Sequence, residues 1–281
     1  MSPSALDAVL KRDGLVVAAS LAGLCLLSWL FLIHLALQMD TMEGMAARMM
    51  SMPVEDGISA LLEAALSPGA ATIADAAYNF VLVALMWAVM MVGMMIPAAA
   101  PTILLFSALE RKRSAAGMGG RTASFVAGYF VIWTTFSVAA AAAQTALSHT
   151  GLMSMQMATT SALLGGAVFI AAGLFELTPA KNQCLVRCRS PLEWIPRHMQ
   201  PGRAGALRMG MQHGAYCLGC CWALMLLLFV GGVMNLVWVA ALAAVVLLQK
   251  VLPGGMRLAR FAGVALITAG LAIAAGSFFS G

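Results

Sequence analysis

The sequence predicts an all-α fold, a polytopic integral membrane helical bundle of about seven transmembrane helices with the N-terminus inside and the C-terminus outside. Three observations carry this expectation. Of the 281 residues, 62% are hydrophobic and only 10% charged, with a mean hydropathy of +0.93, far outside the range of soluble domains. Apolar runs of about twenty residues recur, each enough for a helix to cross a hydrocarbon core roughly 30 Å thick. Basic residues also sort by side, because Lys and Arg gather in short cytoplasmic loops. With seven spans and the N-terminus inside, fifteen of the sixteen fall on the inner face and only Arg48 lies outside.

The spans fall near residues 15–37, 78–106, 122–147, 159–177, 215–231, 235–249 and 261–279. The first is too long, and lacks the cleavage site, for a signal peptide, so it is expected to remain as an anchor. Its Cys25 and His34 read as passive occupants of a helix face. The outer loop 38–77 then carries Met39, Met42, Met45, Met49, Met50 and Met52, either as thioether ligands or as the apolar face of a helix lying on the membrane.

The second span places Met86, Met90 and Met94 in steps of four, with Met91 and Met95 as a second file. Packing competes with ligation as the explanation of such a ladder. Pro97 and Pro101 each remove a helix hydrogen bond, so a kink should follow. The third span offers small residues for packing. The outer loop 148–158 holds His149, Met153, Met155 and Met157, and the fourth span ends at Glu176. An inner loop, 178–214, contains Cys184 and Cys188. The apolar stretch beyond it is too long for one crossing and breaks at Gly231-Gly232-Val233-Met234-Asn235, a turn composition, into the fifth and sixth spans before the seventh closes the chain.

Chemistry concentrates in HGAYCLGCCWALM. On a helix His213, Cys217, Cys220, Cys221 and Met225 fall at i, i+4, i+7, i+8 and i+12, and so share one stripe. Thiols on a cytoplasmic face stay reduced, which favours ligation or redox exchange over a structural disulfide. If Cys184 and Cys188 fold back onto the fifth span, five of the six cysteines surround one inner site.

Soft sulfur donors suit Cu(I), with zinc as a second candidate. The leading expectation is a Cu(I)-handling protein, an importer or a membrane copper chaperone for cuproenzyme assembly, multi-pass in a bacterial inner membrane. Its partners would be membrane lipids and a copper-donating or copper-accepting protein. Two alternatives stand beside it: a membrane thiol redox protein using Cys217 and Cys220 as a CxxC at a helix start, and a non-enzymatic scaffold for a membrane complex. No nucleotide-binding signature and no Ser/His/Asp constellation is present, so an enzyme is not expected. The net charge of +5 follows from topology, and nucleic acid is not an expected partner.

Three motifs resemble a bacterial family of predicted metal-binding integral membrane proteins built on a domain of unknown function. They are WAVMMVGMMIPAAAP from Trp87, CLVRCRSP from Cys184, and GAYCLGCCWALMLLLFVGGVMNLVWVA from Gly214. The resemblance covers roughly residues 80–260 and continues into QKVLPGG, where Gln249 stands at a position expected to be Glu. It implies metal binding, with copper handling as the usual suggestion.

Overall fold

In a computed structural model the described residues are 3–50, 73–113, 118–150 and 161–279, and among them no strand occurs. The helices are α1 (Pro3–Met50), α2 (Ile73–Arg113), α3 (Met118–His149), α4 (Ala162–Glu176), α5 (Pro179–Arg189), α6 (Pro191–His198), α7 (Gly202–Leu226), α8 (Leu228–Gly231), α9 (Leu236–Val251) and α10 (Gly255–Phe279). The first helix runs on through Met50, so the start of the segment expected as an outer loop is helical backbone continuous with α1. The side chains of Met42, Met45, Met49 and Met50, and all of Met52, Met153, Met155 and Met157, lie outside the described residues.

Among the described residues five stretches are long and apolar enough to cross a membrane: Gly14–Met39, Ala77–Arg111, Gly120–His149, Gly202–Gly231 and Gly255–Gly276. A sixth arises if α4 and α5, bent by 63° at their joint, count as one. The sixth expected span is α9, whose 16 residues reach only about 24 Å. The surface is inverted relative to a soluble protein. Leu26, Val237 and Phe261 face outward, while Gln144, Glu176, Lys181 and Gln249 are buried.

Side-chain pairings fix the helix polarities. Trp87 donates its indole N–H to Gln144 Oε1 at 2.6 Å, and Phe106 stacks on Phe125, so α2 and α3 are antiparallel. Phe125 and Tyr129 both stack with His213, and Tyr129 reaches Cys217, so α3 and α7 are parallel. The glycines Gly166 and Gly173 of α4 face Gly270 and Gly263 of α10 in reverse order. One end of the bundle thus gathers Gly14 beside Arg111, the Glu110–Arg121 ion pair, and Arg121 donating to the Gln200 carbonyl.

Cys25 has a structural task. Pro97 has no N–H, which leaves the carbonyl four residues before it, that of Gly93, without its helical donor. The Cys25 thiol supplies one from α1 at 3.6 Å.

Candidate metal centre

The site begins with close contact between α3 and α7. A Cβ on Gly210 would strike the Phe125 carbonyl, and one on Gly128 the Leu207 carbonyl. That approach sets the Tyr129 hydroxyl 3.0 Å from Cys217 Sγ. His213, Cys217, Cys220, Cys221 and Met225 are all buried on α7, as the spacing of the stripe predicts. Cys220 and Cys221 turn their thiols onto the Cys217 carbonyl at 3.0 and 2.9 Å. One expectation needs correction. Cys217 does not open a helix, because α7 starts at Gly202 and about four turns precede it, so a helix N-terminus cannot act on a Cys217/Cys220 pair.

The second wall comes from the joint after α4. Thr178 caps α5 by accepting from the Lys181 N–H at 3.2 Å, and Pro179 takes the first helical position, where a missing N–H costs nothing. The 63° bend folds α5 back on α7. Cys188 Sγ then lies 4.0 Å from Cys220 Sγ, and Cys184 Sγ rests where a Cβ on Gly219 would be only 3.0 Å away. The region 178–214 is therefore not a loop. It is a helical cap, α5 and α6, followed by the first turns of α7, with Trp194 of α6 packed against His213 and Tyr216.

The end of α9 supplies a cation. Lys250 Nζ donates to Cys217 Sγ at 2.9 Å. Its neighbour Gln249 closes a buried ring: Lys181 Nζ meets Glu176 Oε1 at 2.5 Å and Gln249 Oε1 at 2.8 Å, and Gln249 Nε2 donates to Glu176 Oε2 at 2.8 Å. An amide suits this place because it offers an acceptor to the lysine and a donor to the carboxylate at once. Gln249 thus ties α9 to the α4–α5 joint.

The other expected ligands sit further out. His213 lies one turn before Cys217, stacked with Phe125 and Tyr129 at centroid distances of 6.1 and 5.7 Å. Met225 is fully buried one turn beyond Cys221. Met86, Met90, Met91, Met94 and Met95 are buried on α2, which packs chiefly on α3 and α1. The ladder and the thiols belong to one buried core. Tyr129 and Lys250 join the site from outside the expected ligand set; the sequence signal for Lys250 is a lysine set directly at the end of a short apolar span, one of the fifteen basic residues of the inner face.

Among the described residues no group of three or more His, Cys, Asp or Glu side chains forms a ready metal polyhedron. The sulfurs instead offer a facing pair on two elements. Metal–thiolate bonds of roughly 2.3 Å place two sulfurs about 4.6 Å apart across a two-coordinate ion, close to the Cys188–Cys220 separation. Cu(I) accepts two soft donors, whereas zinc requires four.

Fold and site together define a helical protein of long apolar helices that carries a buried thiol pair between a rigid helix and a bent cap. The chain belongs to the PpoB2 family, described as copper chaperone, whose model matches residues 84–273, and this gives it a role in copper handling. No curated protein and no solved structure matches it.

Proposed function

We propose that the protein is a multi-pass inner-membrane chaperone that takes up Cu(I) and hands it to a cuproenzyme under assembly. The observation that carries this reading is the convergence of Cys188 and Cys220 from two elements, with Lys250 donating to the adjacent Cys217. Copper is the cargo here. A bis-thiolate Cu(I) group bears one negative charge, and the Lys250 ammonium offsets it where a lone buried charge would be costly. Neutral thioethers in the α2 file hold Cu(I) more loosely than thiolates, so they suit delivery toward the cysteines.

The helix polarities support seven crossings in which α4 and α9, of 15 and 16 residues, are the short ones, and the gathering of Arg111, Arg121 and Arg203, the last beside Gly120, at one end supports the N-in orientation. The chain serves as a carrier and not as an enzyme. Purified protein in reductant should bind Cu(I) against a competing chelator, and changing Cys217, Cys220 and Cys221 together to Ser should abolish the tight site. Equal stoichiometry and affinity in that variant would sink the reading.

A further inference from the structure

We propose that Arg189 is the positioning residue of the thiol centre, and that CLVRCRSP and QKVLPGG are two halves of one lock. Arg189 follows Cys188 directly at the end of α5. Its guanidinium reaches the C-terminal end of α9, donating through Nη1 to the Gln249 carbonyl at 3.3 Å and through Nη2 to the carbonyls of Leu252 and, at 3.1 Å, Pro253. The last carbonyls of a helix have no partner within the helix, and a cation there also meets the negative end of the helix dipole.

The receiving surface fits this one side chain. A Cβ on Gly255 would collide with Arg189 Nη1 and with the Gln249 carbonyl, so Gly255 leaves the space in which the guanidinium lies. Lysine cannot replace it, because a single ammonium lacks the planar fork that spans separated acceptors.

The lock acts on both halves of the centre at once. On its own side it fixes Cys188 at the far end of a short helix that leaves the 63° joint at Glu176 and rests on α7 through Arg187 over the Tyr216 ring. On the far side it holds the turn after Gln249 and Lys250, and hence the ammonium that meets Cys217. Arg189 itself touches no sulfur among its hydrogen bonds.

The test separates this inference from the copper reading on which its functional meaning rests. Full-length protein with Cys25, Cys184, Cys217 and Cys221 changed to Ser keeps Cys188 and Cys220, and dibromobimane becomes fluorescent only when it bridges both. Against that parent, R189K and G255V should each lower the bridged yield at least fivefold while helix content stays unchanged. R189A should do the same; where it fails to accumulate, R189K and G255V decide. Bridging at the parental yield in either variant overturns the proposal, whatever copper does. In protein with all six cysteines, R189K should weaken Cu(I) binding at least tenfold. Loss of bridging with unaltered copper affinity would sustain the positioning role and overturn the copper assignment of the pair.

Discussion

Lys250 Nζ lies 2.9 Å from Cys217 Sγ, a contact between the last turn of α9 and the middle of α7 that a third helix completes, since Tyr129 of α3 approaches the same sulfur at 3.0 Å. This sulfur therefore meets an ammonium and a phenol hydroxyl, and Cys188 faces it as well as Cys220.

Replacing Lys250 by Leu, which removes the charge without adding a soft donor, should keep the Cu(I) stoichiometry and weaken the affinity. A hydrogen bond to a charged group contributes about 1.5–3 kcal/mol, so a loss of roughly ten- to a hundredfold is expected in chelator competition. Unchanged affinity would show that Lys250 does not offset the charge of the metal-bound thiolates.

Cys188 and Cys184 should differ although both lie on α5. Only Cys188 has its sulfur opposite Cys220, so C188S should lower Cu(I) affinity at least tenfold. Cys184 presses on the Gly219 backbone, and C184S should cost less than threefold. A reversed order in parallel titrations would place the metal on the other edge of α5.

The Glu176–Lys181 pair, with both side chains 0% exposed, should show strong non-additivity. Removing one partner of a buried pair costs about 3–5 kcal/mol, whereas replacing both with apolar groups is often close to neutral. K181M alone should thus destabilise markedly, and E176L with K181M and Q249L, which leaves no unpaired amide behind, should recover most of the loss. Thermal unfolding in detergent across the mutant cycle would measure it; additive losses would mean that the three side chains do not act as a unit.

Gly210→Val should separate α3 from α7, because its Cβ would enter the Phe125 carbonyl. Overpacking costs typically about 1–3 kcal/mol. The expected outcome is a lower midpoint of thermal unfolding together with weaker Cu(I) binding. Full binding in a stably folded G210V protein would remove the Tyr129–Cys217 contact from the account of the site.

Much of this was legible in the sequence because membrane helices are written in long apolar runs and one helix face in fixed spacing. The burial of His213, Cys217, Cys220, Cys221 and Met225 on one stripe follows from 3.6 residues per turn alone, and the break at Gly231–Asn235 from turn chemistry. Gly232 has φ 91° there, and Asn235 caps α9 by accepting from the Trp238 N–H. What stayed hidden depends on which helices are neighbours. The fold-back of α5 was conditional on a bend that Thr178-Pro179 signals only weakly, and the approach of Lys250 to Cys217 joins residues 33 positions apart. The helix that carries the stripe begins at Gly202, ahead of the apolar run from Ala215, because Gly202–Gly214 is polar by composition while its small residues Gly210 and Gly214 pack against α3.

Under the proposed chaperone role, the division of the cysteines between α7 and α5 would have a kinetic consequence. Three thiols ride on an unbroken helix locked to α3, and two ride on a short arm whose ends are held by Lys181 and Arg189. Raising that arm would remove one anchor from a bound ion in a single movement while the other stayed in place. An incoming thiolate from an acceptor could then enter the opened side, so that copper would leave by ligand exchange and never pass through a free ion.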